Sequence, residues 1–156
     1  MTTRRGGFRS VVLGVDGSPH SRRAAAFLAR LTPAIGARVT AVQVVEPVRA
    51  PSLALLPNPV RGRIAGELAR HRQAVCAAAQ RSLDAAARAL EPAGWRVRTV
   101  LREGIPLTEL LDVVQTEQAD LIVLGVRGTG RLEGLLLGST AEGALKRSPV
   151  PVLIVK

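Results

Sequence analysis

Five short apolar segments alternate with helical segments along this chain, and that alternation restricts the fold more than any other feature. The apolar segments span 9–15, 39–45, 95–101, 120–125 and 150–155. Strands that alternate with helices across short turns form a parallel sheet with right-handed crossovers. The sequence therefore predicts an open five-stranded parallel α/β sheet with helices on both faces. The carboxyl ends of its strands must then lie along one edge.

Hydrophobic spacing and capping residues place four helices between these strands. They are a helix opened by Ser18 as N-cap and Pro19 at its first turn, and helices over 61–90, 106–116 and 139–147. Prolines 47, 51, 57 and 59 predict an irregular loop over the carboxyl edge of the sheet. In the third strand, 95–101, apolar residues and arginines alternate, which favours a position at the edge of the sheet.

Composition indicates one intracellular domain. The chain has 156 residues, of which 47% are apolar and 2% aromatic, so Val, Leu, Ile and Ala must form the core. The lone Cys76 excludes an internal disulfide and a cysteine-based zinc site. No apolar run is long enough for a signal sequence or a membrane span, so we predict a cytoplasmic protein. We expect 1–8 to be a flexible tail and 9–156 to be the domain.

The net charge of +10 predicts no particular partner. The arginines are spread through the predicted helices, and no stacking aromatics lie between them. Twenty arginines accompany only two lysines, which indicates a bias in the base composition of the gene. We therefore interpret the positive charge as a solvated surface and expect neither a nucleic acid nor a membrane as partner.

A glycine pattern follows the fourth strand. Gly125 and Gly128 are followed, after nine intervening residues, by Gly138, Ser139 and Thr140, where a helix is predicted to begin. Glycine allows a ligand to approach the backbone closely, and a helix N-terminus offers free N–H groups and a positive dipole to an anion. The pattern predicts a phosphate site. Turn glycines followed by a helix cap, with no ligand, are the alternative.

Two separated stretches resemble the universal stress protein family. The segment "GVRGTGRLEGLLLGSTAEGALKRSPVPVLIV" (125–155) carries the G-x2-G-x9-G-[S/T] pattern of the ATP-binding members of that family. The segment "VVLGVDGSPHSRRAAAFLA" (11–29) is similar to its first strand, Asp-containing turn and first helix, and "VTAVQVVEP" (39–47) resembles its second strand. The resemblance spans nearly the whole chain and weakens only between about 48 and 67.

The resemblance implies a strand order of 3-2-1-4-5 in a Rossmann-like sheet of the adenine nucleotide α-hydrolase type. It also implies ATP as ligand, with or without Mg²⁺, and a homodimer formed through the C-terminal strand. By the same resemblance, Asp16 would lie near the ribose, and Val15 and Val44 near the adenine. The full set of implied ligand-binding positions is Gly14, Val15, Asp16, Val44, Gly125, Arg127, Gly128, Gly138, Ser139 and Thr140.

Catalytic groups are missing from the pattern. The residue after Gly138 is Ser139, where a Walker loop would have lysine, and the sequence has neither a nucleophile with its base nor paired carboxylates. His20 and His71 have no spacing typical of metal ligands. We therefore predict an ATP-binding regulatory module of the stress response, with an unidentified protein partner and little or no hydrolysis. The alternatives are a slow ATPase of the same fold class and a nucleotide-free protein-binding scaffold.

Overall fold

The structure is a computed structural model that describes residues 7–48, 53–128 and 137–156. In chain order its strands and α-helices are β1 Ser10–Gly14, α1 Pro19–Ala29, β2 Arg38–Val45, α2 Asn58–Leu90, β3 Arg96–Glu103, α3 Pro106–Thr116, β4 Leu121–Gly125, α4 Ser139–Arg147 and β5 Val152–Val155. Short 3-10 helices cover Leu53–Leu55, before α2, and Glu91–Ala93, after it.

The five strands form one parallel sheet in the order β3-β2-β1-β4-β5, which confirms the predicted topology. β1 lies at its centre, with Val11 opposite Val39 of β2 and Leu121 of β4. The chain order reverses at β1, because β2 lies on one side of it and β4 on the other. In parallel α/β sheets, ligands bind beyond the carboxyl ends of the strands at such a reversal.

Helices cover both faces of the sheet and bury two apolar clusters. α1 and α2 pack on one face, where Leu13, Leu28 and Leu83 are fully buried. α3 and α4 pack on the other, where Ile122 and Ala144 are fully buried. β1 and β4 are apolar on both faces for this reason, which explains why they appear in the sequence as continuous apolar runs rather than alternating ones.

Helix α2 begins earlier than the sequence analysis predicted. It begins at Asn58 instead of residue 61, because Pro59 occupies the first turn, where its missing N–H has no helical partner to lose. The irregular loop therefore ends at Pro57. The buried residues of α2 lie in its second half, among them Leu83 and Leu90, whereas Val60 near its start is exposed. The C-terminal half anchors this helix to the sheet.

Strand β3 lies at the edge of the sheet, as its alternating pattern predicted. It runs two residues further than expected, because Arg102 and Glu103 pair with Val44 and Val45 of β2. Trp95, which precedes β3, is buried and donates a hydrogen bond from Nε1 to the carbonyl oxygen of Leu28, 3.2 Å away. At the opposite edge, β5 begins at Val152 rather than at residue 150.

Parts of three predictions lie outside the described residues. Residues 1–6 of the predicted tail, 49–52 of the loop after β2, and 129–136 of the segment between the glycines belong to this group. Among the helices that the structure does describe, none is long and apolar enough to cross a membrane. The cytoplasmic location stays a prediction.

The uneven burial of α2 makes a testable prediction. Leu83→Ala removes a fully buried side chain, and we expect it to lower the free energy of unfolding by about 2–5 kcal/mol. Val60→Ala, in the exposed first half of the same helix, is the matched control and should change it by less than about 0.5 kcal/mol. Chemical denaturation measures both. Equal effects would show that the first half of α2 is anchored as firmly as the second.

Candidate functional site

A cavity of about 490 Å³ opens at the carboxyl edge of the sheet, where the chain order reverses. Its walls include every residue that the sequence analysis named for ligand binding: Gly14, Val15, Asp16, Val44, Gly125, Arg127, Gly128, Gly138, Ser139 and Thr140. These residues come from four separate segments of the chain. Their proximity is a property of the fold, and what they bind is a separate question.

One end of the cavity is apolar. It lies beyond β2, and most of its lining residues are apolar: Val42, Val44 and Val45, together with Val75 of α2 and Leu110 of α3. Gln43 and Glu46 are the polar residues of the same stretch that line the cavity. Val42 and Leu110 are buried in the cluster between the sheet and α3. A flat apolar group fits this end, because branched aliphatic side chains bound it and offer little for hydrogen bonding.

Asp16 occupies the middle of the cavity, beyond β1. Its Oδ1 accepts a hydrogen bond of 2.9 Å from the backbone N–H of Ser18, which forms an Asx turn and gives Asp16 a structural role. Only Oδ1 is used in this turn; no hydrogen bond to Oδ2 occurs in the described part of the chain. The carboxylate therefore has a free oxygen beside the cavity, and the structural role does not exclude a ligand role.

The other end of the cavity is the N-terminus of α4. Gly138 is the N-cap, and its N–H donates to the carbonyl oxygen of Val126 at 2.9 Å, which joins the start of α4 to the end of β4. No side chain caps this helix. Ser139 and Thr140 lie inside its first turn, so neither is the cap residue, and the cap position belongs to a glycine.

The N-terminus of α1, at the same edge, is capped by a side chain, whereas the N-terminus of α4 is not. Ser18 caps α1 by accepting from the N–H of Ser21 at 3.1 Å, and the carboxylate of Asp16 lies beside it. The acidic residue in the first turn of α4, Glu142, is exposed, and its hydrogen bond to Lys146 lowers its pKa. The N-terminus of α4 is therefore an open positive end beside the glycines, where an anion could bind.

The glycines of the motif lie close to other parts of the protein. A Cβ on Gly125 would lie 2.6–2.8 Å from backbone and Cβ atoms of His20 in α1, and one on Gly128 would lie 2.6 Å from Oδ2 of Asp16. A Cβ on Gly138 would lie 3.3 Å from Cα of Arg127. The sequence analysis explained these glycines by close approach of a ligand. The structure adds a second reason, because they also allow α1, the loop after β4 and α4 to approach one another.

Arg127 lies between these glycines with its side chain exposed. Its carbonyl oxygen accepts from Oγ of Ser18 at 3.4 Å, which ties the loop to the cap of α1. Sequence reasoning missed several wall residues, including Gln43, Glu46 and Val75. Val75 could not have been found, since it reaches the cavity only through the packing of α2. Gln43 carried a signal, because it is polar among the valines at the carboxyl end of β2.

A second, smaller cavity of about 360 Å³ adjoins the first one through shared walls at Val45, Glu46 and Val75. Half-buried Cys76 lines it, as does an ion pair between Arg72 and Glu103. In the described ranges, no three His, Cys, Asp or Glu side chains lie close enough together to hold a metal ion.

Comparison with known proteins identifies the family. A sequence model of the Universal stress protein family matches residues 7–156, so this chain belongs to that family. A universal stress protein of Methanocaldococcus jannaschii is 32% identical over 149 residues, which cover 96% of this chain and 82% of that protein. One from Thermus aquaticus is 33% identical over 150 residues, which cover 96% of this chain and 99% of that protein.

Solved structures share the fold. Hypothetical protein MJ0577 of M. jannaschii superimposes with a TM-score of 0.77 at 22% identity, covering 95% of each chain. A universal stress protein in complex with cAMP superimposes with a TM-score of 0.63 at 25% identity, covering 96% of this chain and 98% of that one. A third, from Archaeoglobus fulgidus in complex with dAMP, has a TM-score of 0.64 at 20% identity and covers 96% and 98%.

Stability measurements without ligand test whether the glycines are needed for packing within the protein, apart from any close approach of a ligand. We expect Gly125→Ala to lower the free energy of unfolding by about 1–3 kcal/mol, because the backbone of His20 cannot move aside. Gly128→Ala should cost less, because the obstructing atom is a carboxylate oxygen that can rotate away.

A double variant serves as the control for this prediction. Asp16→Ala removes the carboxylate, so combining it with Gly128→Ala should abolish the cost of the added methyl group. Urea denaturation of the two single variants and the double variant measures the coupling. Strict additivity would show that Gly128 and Asp16 do not meet in solution.

Proposed function

We propose that this universal stress protein binds ATP in the cavity at the carboxyl edge and acts as a nucleotide-sensing regulatory module. The observation that supports this most directly is the order of chemical groups across three adjacent strands. An apolar pocket lies beyond β2, a carboxylate with a free oxygen beyond β1, and an open helix N-terminus beyond β4. That order matches the base, the ribose and the phosphates of a nucleotide.

The dimensions support the same proposal. Neighbouring strands lie about 4.8 Å apart, so about 10 Å separates the ends of β2 and β4. A base at β2 and phosphates at α4 would therefore be joined across Asp16 by a ribose. The cavity of about 490 Å³ falls within the range of about 300–1,000 Å³ typical of small-molecule sites.

The comparisons support an adenine nucleotide as the class of ligand. Two members of the family with the same fold are in complex with cAMP and with dAMP. Both ligands carry an adenine base and one phosphate group. We propose ATP in particular, because Gly125, Gly128 and Gly138 together offer a longer stretch of backbone than a single phosphate group needs.

The regulatory role concerns the fate of the nucleotide once it is bound. In the described part of the chain, no lysine lines the cavity, and its carboxylates are Asp16 and Glu46. We assign the role of a general base to neither of them. Bound nucleotide would change how the protein contacts a partner rather than being consumed. Phosphate release measured with and without Mg²⁺ separates this role from that of a slow ATPase. Mass spectrometry of small molecules extracted from the purified protein separates it from that of an empty scaffold.

We also propose that the protein forms a homodimer through β5. The carbonyl oxygens of Pro151 and Val155 accept hydrogen bonds from β4, so the alternate residues Val152 and Ile154 direct their N–H and C=O groups outward. β5 is the outermost strand on its side of the sheet. A two-fold axis would pair these outward groups with the same strand of a second copy.

The anion end of the cavity gives the first prediction. Thr140→Val keeps the shape of the side chain but removes the hydroxyl in the first turn of α4, and we expect affinity for ATP to fall about tenfold or more. Affinity for adenosine, which has no phosphate, should change less than about twofold. Isothermal titration calorimetry measures both ligands.

Thr108→Val is the matched control, because Thr108 is an exposed threonine in the first turn of α3 and does not line the cavity. It should leave both affinities unchanged. If Thr140→Val weakens adenosine and ATP equally, the phosphates do not lie on α4. If neither compound binds the unmodified protein, the proposed function is wrong.

The dimer gives the second prediction. Ile154→Pro removes one outward N–H and leaves the bonds between β5 and β4 in place, so we expect a folded monomer. Ile154→Ala retains that N–H and is the control, which should stay dimeric. Light scattering gives the mass, and circular dichroism confirms the fold. A dimeric proline variant would place the interface elsewhere. Leu153 and Val155 pack against one core cluster and Ile154 against the other, so Ile154→Ala also controls for the loss of that packing.

A further inference from the structure

We propose that the outer side of α2 is a docking surface for an acidic helix of a partner protein. The surface is the arginine ridge, a straight row of four exposed side chains: Arg63, Arg70, Arg81 and Arg88. None of the four lines either of the two cavities described above. The inference therefore does not depend on the binding of a nucleotide.

Positive charge in the helices is concentrated on one face of the sheet. α2 carries six arginines and two carboxylates, and α1 on the same face adds two arginines and no carboxylate. On the other face, α3 has two carboxylates and no basic residue, and α4 has one carboxylate and two basic residues. A bias in base composition explains why these residues are arginines rather than lysines. It does not explain why they lie on one face.

The arginine ridge follows the side of α2 that points away from the sheet. Its members are 7, 11 and 7 residues apart, which is close to a whole number of helical turns at each step. At a rise of about 1.5 Å per residue, the row is about 37 Å long. Arg81 lies two residues after Ala79 and two before Leu83, which are both buried. Two residues turn a side chain by about 200° around a helix, so the ridge lies opposite the buried side.

The arginine ridge forms no salt bridge within the described part of the chain. The salt bridges found there are formed by other basic residues: Arg72, Arg98, Arg102 and Lys146. Asp84 lies one turn from Arg81 and from Arg88, but it accepts a hydrogen bond of 2.8 Å from Nε2 of Gln80. A row of charges of one sign attracts a partner of the opposite sign, so the ridge favours an acidic surface.

Small side chains separate the two central arginines of the ridge. Ala74 and Ala77 are exposed and lie on the same side of α2, between Arg70 and Arg81. A second helix can approach such a surface closely, since packed helices lie about 8–10 Å apart and the distance depends on the side chains between them. Carboxylates on that helix at the same spacing would lie opposite all four arginines, because every α-helix has the same rise per residue. An acidic helix therefore fits both the charge and the shape of the ridge.

Other partners fit the arginine ridge less well. The backbone of a DNA duplex winds once around its axis in about 34 Å, so it turns away from a straight row of that length. Single strands stack their bases on aromatic side chains, and the aromatic residue of α1 and α2, Phe27, is half-buried. A second copy of this chain would be repelled, because each copy carries a net charge of +10.

The test uses two labelled helical peptides of about 30 residues, made of alanine, glutamine and four glutamates. In the aligned peptide the glutamates have the spacing of the arginine ridge, 7, 11 and 7 residues. In the scrambled peptide the same glutamates point to different sides of the helix. We expect the unmodified protein to bind the aligned peptide about tenfold more tightly than the scrambled one at low ionic strength. Fluorescence anisotropy measures both affinities.

Two variants with the same change in net charge locate the site. The ridge variant combines Arg63→Gln, Arg70→Gln, Arg81→Gln and Arg88→Gln. It should reduce the preference for the aligned peptide to less than about twofold. The control variant replaces four exposed basic residues outside α1 and α2 and should keep the preference: Arg9→Gln, Arg96→Gln, Arg147→Gln and Lys156→Gln. Thermal melting followed by circular dichroism confirms that both variants are folded.

Each outcome decides the inference. A preference that is lost in the ridge variant and kept in the control variant supports it. If the unmodified protein binds the two peptides equally, or binds neither, the ridge does not recognise an acidic helix and the inference is wrong. An equal loss in both variants would show an effect of net charge alone, which also overturns it. A labelled DNA duplex that binds more tightly than the aligned peptide, and is released in the ridge variant, would make nucleic acid the partner instead.

Discussion

The pairing of β1 with β4 is the contact on which the rest of the structure depends. It joins segments about 110 residues apart, with Val11 opposite Leu121, and it is buried under helices on both faces. At the amino end, the carboxylate of Asp120 accepts from the N–H groups of Arg9 and Ser10, which fixes the register. At the carboxyl end, the absence of a side chain on Gly125 lets α1 lie directly against β4. Because a parallel pair aligns equivalent ends, this contact places the turn at Asp16 beside the loop that carries Gly128.

Polar groups at the amino edge of the sheet are hydrogen-bonded differently from those at its carboxyl edge. At the amino edge, Oγ of Ser10 and a guanidinium nitrogen of Arg38 both donate to the carbonyl oxygen of Glu117, whose carboxylate pairs with Arg98. At the carboxyl edge, the N-terminus of α4 has no side-chain cap. Its first-turn N–H groups are therefore available to the phosphates that we propose for this edge.

Much of this arrangement could be predicted from the sequence, for identifiable reasons. β1 and β4 are apolar on both faces, and Ser18 with Pro19 marks the start of α1, so element types and order followed from local patterns. The order of the strands came from the family resemblance, since alternation alone leaves several arrangements open. The start of α2 was missed because Pro59 was taken for a loop residue, although a first-turn proline is compatible with a helix. The packing role of Gly128 was missed because its neighbour, Asp16, is distant in sequence.

α1 and α4 differ in what lies at their N-termini, which separates a structural role for α1 from the anion-binding role that we propose for α4. Both helices begin at the carboxyl edge, and both present a positive dipole there. The side chains of Ser18 and Asp16 lie at the positive end of the α1 dipole. Oγ of Ser18 also donates to the carbonyl oxygen of Arg127, which fixes α1 to the loop after β4. α4 is held by a hydrogen bond from the backbone N–H of Gly138 to the carbonyl oxygen of Val126. No side chain caps the N–H groups of its first turn. A side-chain cap on α4 would stabilise that helix by about 1 kcal/mol, and it would occupy the position that the proposed phosphates need.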